Sequence, residues 1–396
     1  MLKKIGLLLL ALAAVGILVS TQATQGEQRR QPRSAQSDGA LRNRPGANRQ
    51  PEFRAPDIRE YKPRSTLVVP QHPRPRAKFP VIDMHSHQPA PISAADFDRV
   101  VEGMDRNNLR VLVNNSGASG GRLRQALDAI RSSRHKDRMV QFASVDFRNV
   151  GPGWGRKAAQ QLEADIKAGA VGLGEVSKAL GLRIKKADGT RLQVDDPELD
   201  PIWETCGRLG VPVLIHTAEP QEFFEPIDYT NERWLELALY PDRRYPAGEF
   251  PRFEELMQER NRMFKKHPKT TFVAAHFAYH ANDLARMATL FDEMPNVYTE
   301  VGAILAELGR QPRAAHDFFV KYQDRILFGK DSFQPDEFPY YWRVFETEDE
   351  YFDYYRDYHA FWKLYGMGLP DAVLRKLYYA NALKIVPGLP TSGFTD

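Results

Sequence analysis

The chain has 396 residues, with 42% hydrophobic and 27% charged residues, an ordinary globular composition that excludes wholesale disorder and a many-spanned membrane protein. The net charge of +4 is unevenly placed, with 15 Lys/Arg against 5 Asp/Glu in residues 1–80 and 40 against 46 in the rest. The main body is therefore mildly acidic, which argues against a nucleic-acid partner.

In chain order, residues 1–23 read as a signal peptide. Lys3 and Lys4 precede an apolar run from Ile5 to Val19, and Ser20-Thr21-Gln22-Ala23 offers small residues for cleavage after Ala23. This predicts a periplasmic or secreted protein with no stable membrane insertion after cleavage. The single Cys, Cys206, allows neither a lipoprotein anchor at the cleavage site nor an internal disulfide. Residues 24–79 form a basic Pro-rich linker. With nine Pro by residue 80 and little apolar periodicity, such a stretch cannot repay its ordering entropy, so it is read as a disordered tether whose last part, from Ser65, reaches the domain.

From residue 80 to about 390 the chain alternates strand-like and helical segments. Apolar runs at 80–84, 109–114, 139–145, 170–176, 211–216, 271–276, 297–302 and 326–331 predict eight strands at roughly βα-unit spacing, with two enlarged gaps. Helical patterns at 94–107, 121–134, 156–168, 281–293 and 312–322 fall between them. A further helix follows Asp196 as N-cap with Pro197 in its first turn, and Gly210 ends it, making Cys206 a buried helix residue. Eight such units predict an α/β fold, a (β/α)8 TIM barrel. A doubly wound sheet is the alternative, and the polar residues at the strand ends count against it.

Active sites of such barrels lie at the C-terminal ends of the strands. There the sequence places His85 and His87 after the first strand, Glu175 near the end of the fourth, His216 at the fifth, His276 at the sixth and Asp331 at the eighth. Imidazole and carboxylate groups gathered from different strands suit Zn²⁺, with Mn²⁺ or Fe²⁺ as alternatives, in a site of one or two ions. Asp83 is expected to orient a ligating imidazole. Glu300, ending the seventh strand, is a weaker candidate for contact with metal or substrate.

The ordered set Val81-Ile82-Asp83-Met84-His85-Ser86-His87, Leu214-Ile215-His216-Thr217, Ala275-His276 and Ile326-Leu327-Phe328-Gly329-Lys330-Asp331 resembles the amidohydrolase superfamily, in its amidohydrolase-related branch of metal-dependent TIM-barrel hydrolases. The resemblance implies His85, His87, His216 and Asp331 as metal ligands and His276 as an assistant to substrate or water. Lys330 departs from the branch's usual Thr or Ser before the Asp. Gly174-Glu175 resembles the Glu ligand of TatD-like deoxyribonucleases, which adds Glu175 as a ligand and leaves one or two ions open. The implied chemistry is hydrolysis of an amide, ester or lactone in a small-molecule substrate by a metal-activated water, with Asp331 and His276 catalytic. The alternatives are non-oxidative decarboxylation of an aromatic or unsaturated acid, and an inactive barrel serving as a binding module.

The enlarged gap at 217–270 carries Arg243 and Arg244, a pair able to clamp a substrate carboxylate. The aromatic-rich stretch 338–365 is expected to pack on the barrel, with a pocket lid or a homodimer contact as second explanations.

Overall fold

The computed structural model describes residues 54, 57–356 and 358–394. The expected signal peptide, and the expected tether up to residue 53, lie outside the described residues. The chain divides into two units, Met1–Ser65 and Thr66–Asp396, and the second carries the fold. Among the described residues no helix is long and apolar enough to cross a membrane.

All eight expected strands form. They are β1 (Val81–Ser86), β2 (Leu109–Asn114), β3 (Met139–Gln141), β4 (Leu173–Val176), β5 (Val213–Ile215), β6 (Phe272–Ala274), β7 (Val297–Glu300) and β8 (Ile326–Leu327). Every ladder is parallel, in the orders β1-β2-β3 and β4-β5-β6-β7-β8. Two parallel bridges close the gaps, Ala143 with Leu173 between β3 and β4, and Ser86 with Asp331 between β8 and β1. The Met84 N–H also donates to the Phe328 carbonyl at 3.0 Å across the β8–β1 seam. The result is a closed barrel. Its strands are apolar on both faces because side chains fill the interior on one side and helices cover the other.

The covering helices are α1 (Ala94–Asn107), α2 (Gly120–Ser132), α3 (Trp154–Ala168), α4 (Asp200–Leu209), α5 (Phe253–Lys266), α6 (Leu284–Glu293) and α7 (Pro312–Lys321). Local chemistry sets their ends. The Ser93 hydroxyl accepts from Asp96 N–H at the start of α1, and Asn108 stops it in the left-handed region at φ 63°. Asp196 caps a short 3-10 turn, Pro197–Leu199, that leads into α4, and Gly210 ends α4 at φ 66°. Cys206 is fully buried in α4, and burial pushes its thiol up to about 12, which makes it inert.

Two regions differ from the sequence reading. The gap at 217–270 contains α5, which buries Phe253, Leu256, Met257, Met263 and Phe264 on one face. The 338–365 segment begins as α8 (Phe338–Glu346), with Phe338, Tyr341, Trp342 and Phe345 fully buried. The last βα unit is completed further on by α9, a continuous run through Asp371–Arg375, Lys376–Ala380 and Asn381–Ile385. There Leu377 accepts from the Phe328 N–H at 2.8 Å, and the Asn381 amide donates to the Ile326 carbonyl at 2.8 Å. The aromatic stretch is thus mainly packing, although Phe361 is 77% exposed.

The stretch before β1 is bound to the barrel domain. His72 donates its N–H to Asp349 Oδ2 at 2.7 Å, and its Nδ1 lies 2.6 Å from Oδ1 of the same buried carboxylate. Arg343 Nε holds Asp349 from the other side at 2.7 Å. Because the His72 ring is half exposed, solvent screens its share. His72→Ala is expected to lower unfolding stability by about 1 kcal/mol, read as a smaller urea midpoint at unchanged slope. An unchanged midpoint would show that this contact carries no stability.

Candidate metal centre

Strands β3 to β8 are shorter than the apolar runs, so several site residues lie on the loops just beyond them. His216 follows β5 directly, His276 stands two residues past β6, and Asp331 stands four past β8. Asp331 adopts φ 75°, and its N–H donates to the His85 carbonyl at 2.7 Å. His276, Phe277, Ala278 and Tyr279 form a left-handed turn with φ between 53° and 56°. Such a conformation costs about 1–2 kcal/mol per non-glycine residue, so it persists only where its surroundings hold it. Here the buried Arg260 donates to the Ala278 carbonyl at 2.8 Å, and Glu300 accepts the His276 N–H at 2.7 Å. The turn aims the His276 ring and the Tyr279 hydroxyl at the barrel mouth.

Four donor atoms converge there. His87 Nε2 lies 3.2 Å from His85 Nε2, 3.3 Å from Glu175 Oε2 and 3.5 Å from Asp331 Oδ1. His85 Nε2 lies 3.8 Å from each of those two carboxylate oxygens. Ligands at bond lengths of about 2.0–2.2 Å stand about 3.3–3.6 Å apart in a tetrahedral shell. His85, His87 and Asp331 therefore form a group that fits a divalent cation of that size, with the Glu175 carboxylate against both imidazoles. In the metal-free state one imidazole N–H can bridge the two facing nitrogens, and a bound cation would take the place of that proton. His276 also groups with His85 and Glu175, and the two groups share His85, which makes them one centre.

Partners on the far side of each ring set its tautomer. His85 Nδ1 lies 3.1 Å from Glu300 Oε1, so Nδ1 carries the proton and Nε2 offers its lone pair. Burial raises the Glu300 carboxyl, but His85 and the N–H donors of His276 and Gly302 outweigh it and hold it at about 2. His276 Nδ1 bonds the Gly302 carbonyl at 2.9 Å, leaving its Nε2 unprotonated, and burial lowers the ring's basicity. His216 stands against Glu175, with Nδ1 2.5 Å from Oε1, rather than against His85 and His87. Its Nε2 lies 2.8 Å from the Tyr279 hydroxyl, which donates to Glu219 at 2.8 Å, and Lys178 pairs with Glu219.

Asp83 departs from its expected role. Its Oδ1 accepts the backbone N–H groups of His85 and Lys330, tying β1 to the β8 loop, while Glu300 takes the imidazole. Lys330 points away from the donor cluster. Its Nζ pairs with Glu337 at 2.5 Å and lies over the Phe338, Tyr341 and Tyr355 rings.

Two glycines make room for Glu300. A Cβ on Gly329 would lie 2.4 Å from Glu300 Oε2 and 3.0 Å from His85 Cβ, and one on Gly302 would lie 2.7 Å from the same oxygen. Gly329→Ala is therefore expected to displace the Glu300 carboxylate and weaken metal binding by about 10–100-fold, the usual effect of losing a partner to a ligating imidazole. Metal competition with a chromophoric chelator measures it, and parent-like affinity would remove Glu300 from this role.

A cavity of about 220 Å³ opens over His216, His276 and Asp331. The two arginines read as a clamp separate here. Arg243 reaches the wall, but Glu236 binds its Nη1 at 2.6 Å and it lies over the Tyr240 ring at 4.4 Å. Arg244 is exposed and bonds only the Pro241 carbonyl, at 3.1 Å, so it does not reach the cavity. The wall also carries Tyr279, Glu219, Arg233, Arg356 and His359, none of which periodicity singles out.

The family model described as Amidohydrolase matches residues 67–388. The chain belongs to the amidohydrolase family. No curated protein matches the sequence. Solved structures similar to this family member include 5-carboxyvanillate decarboxylase from Sphingomonas paucimobilis, at 12% identity and a TM-score of 0.45, covering 78% of this chain and 99% of that one. Another is 4-oxalomesaconate hydratase from Rhodopseudomonas palustris, at 14% identity, TM-score 0.46, and 78% and 95% coverage. A third is an amidohydrolase from Mycobacterium avium subsp. paratuberculosis K-10, at 17% identity, TM-score 0.42, and 73% and 74% coverage. At these identities the likeness is one of fold alone. The donor cluster is a candidate divalent-metal site in this amidohydrolase.

Proposed function

We propose that this amidohydrolase is an exported, zinc-dependent hydrolase that cleaves an amide, ester or lactone. The observation that carries the reading is the convergence of His85, His87, Glu175 and Asp331 at 3.2–3.8 Å beside a cavity that also exposes His276. These four residues would hold one ion, with His216 adjoining through Glu175. Mixed imidazole and carboxylate donors suit zinc, and manganese or iron is the alternative. When bound, the ion supplies a Lewis acid that polarises a carbonyl and makes water acidic near neutral pH.

The protein's own groups do the rest. The Asp331 side chain is 37% exposed and faces the cavity, so it reaches both the donor cluster and incoming water. It accepts the water proton and passes it to the leaving group. The unprotonated Nε2 of His276 orients the water or accepts from a substrate hydroxyl. Tyr279 holds the His216 ring, and Glu300 holds His85, so neither imidazole turns during turnover.

A panel of aryl esters, lactones and anilides, with an aromatic acid included, tests the reaction. The expected result is hydrolysis of at least one acyl class without CO₂ release. CO₂ release from the acid with every acyl compound intact would replace hydrolysis by decarboxylation. Export predicts that the mature chain begins at Thr24 in the periplasm of a Gram-negative host. N-terminal sequencing that finds Met1 on a membrane-bound product would reject it.

A further inference from the structure

Four lysine and arginine side chains line the cavity, and three of them are closely matched. Lys178 pairs with Glu219, Arg233 with Glu236 at 3.0 Å and Glu307 at 2.8 Å, and Arg243 with Glu236. Arg356 differs. Its nearest carboxylate among the described residues is Glu337, whose Oε2 is 3.6 Å away and is held by Lys330 at 2.5 Å. Among the described residues, the one hydrogen bond its guanidinium makes to a side chain is a long one, 3.3 Å, to the hydroxyl of Ser332. Ser332 follows Asp331 in the chain, so the guanidinium stands on the wall next to the donor cluster. Its side chain is only 24% exposed and lies 5.3 Å from the Tyr355 ring centre.

A guanidinium has five N–H donors, and those of Arg356 that lack a protein partner are not buried, so they are open to a ligand in the cavity. An oxyanion in the cavity satisfies them with a bidentate pair. The surrounding charge selects which one. Asp331, Glu219, Glu222, Glu236 and Glu307 line the same cavity, so a doubly charged phosphate would meet about twice the repulsion that a single carboxylate meets. We infer that Arg356 binds a carboxylate of the substrate, so that the substrate is an acid bearing its scissile acyl bond a short distance from that carboxylate. The inference deepens the hydrolytic reading and rests on it for the scissile bond, but the carboxylate subsite stands on Arg356 alone.

Calorimetric titration with benzoate and with its neutral analogue benzamide tests the subsite. It is run on chelated, metal-free protein, so that no carboxylate–metal bond contributes. The parent is expected to bind benzoate at least about 10-fold more tightly than benzamide. Arg356→Met is expected to lower benzoate affinity by about 10–150-fold, the effect of removing a hydrogen-bonded charge partner, with benzamide unchanged. Arg356→Lys, which keeps the charge but loses the fork, is expected to fall between them. Equal benzoate affinity in parent and both variants, or no preference for benzoate in the parent, overturns the inference. In the metal-loaded protein, carboxyphenyl acetate and phenyl acetate extend the test. Arg356→Met is expected to raise KM only for the first, with kcat within about threefold. If neither ester is cleaved, the acyl panel still decides on hydrolysis, and the titration alone decides on Arg356.

Discussion

Replacing both imidazoles of the first-strand motif, His85→Ala together with His87→Ala, is expected to strip the protein of bound metal and abolish turnover. The two Nε2 atoms supply two of the four converging donors and are 3.2 Å apart. The remaining carboxylates, Glu175 and Asp331, offer a poor site for a borderline-soft cation on their own. Metal affinity should fall by more than the 10–100-fold typical of losing an outer partner, on the order of 10³-fold or beyond. The barrel should survive. Val81, Ile82 and Met84 on the same strand are completely buried and keep their packing, and the backbone bond from Met84 to Phe328 does not involve either ring. Elemental analysis paired with far-UV circular dichroism separates the two effects. A folded variant that retains a full equivalent of metal would show that the motif is structural.

Asp331→Asn is expected to lower turnover by about 10²–10⁴-fold, the contribution of a positioned general base. The amide keeps the shape and one oxygen toward the cluster, and the N–H bond to the His85 carbonyl is unaffected because it belongs to the backbone. With metal supplied in excess so that the site stays filled, kcat should still fall, and the low-pH limb of the rate profile should change. Lys330→Met is the comparison. Lys330 is paired to Glu337 on the far side of the loop, so its loss should cost much less, under about 10-fold. Near-normal turnover in Asp331→Asn with collapse in Lys330→Met would move the proton chemistry to His276 or Glu175.

The barrel is legible in the sequence because its parallel strands are buried on both faces and so stand out as short apolar runs at βα spacing. The helix after Asp196 is legible because its cap, Pro197 and Gly210 act locally. The positions of His85 at the end of its strand and of His87, His216, His276 and Asp331 beyond theirs follow from that rhythm. What is hidden depends on backbone shape and on long-range packing. Tyr279 reaches His216 only because four residues take a left-handed turn that no periodicity encodes. The Glu300 carboxylate meets His85 across 215 residues and fits only where Gly302 and Gly329 lack side chains. The sequence assigns that orienting task to Asp83, which is nearer in the chain and is instead used by backbone N–H groups. Arg243 and Arg244 attract attention as a pair, yet Glu236 engages the first and the second faces solvent. Arg356, inside an aromatic stretch read as packing, is the cation that remains open to the cavity. The helix α5 is masked by its own charge, since Glu254, Glu255, Glu259, Arg260, Arg262, Lys265 and Lys266 surround its apolar stripe.

The central claim is that hydrolysis runs through the metal centre of His85, His87, Glu175 and Asp331, and stepwise removal and return of the ion tests it most directly. The purified full chain is assayed against the acyl substrate found in the panel, stripped with a strong chelator, assayed again, and reloaded with one equivalent of Zn²⁺, Mn²⁺ or Fe²⁺. The account predicts that activity disappears with the metal and returns in proportion to the fraction reloaded, reaching its plateau at one ion per chain. Full activity in protein shown by elemental analysis to be metal-free would contradict it.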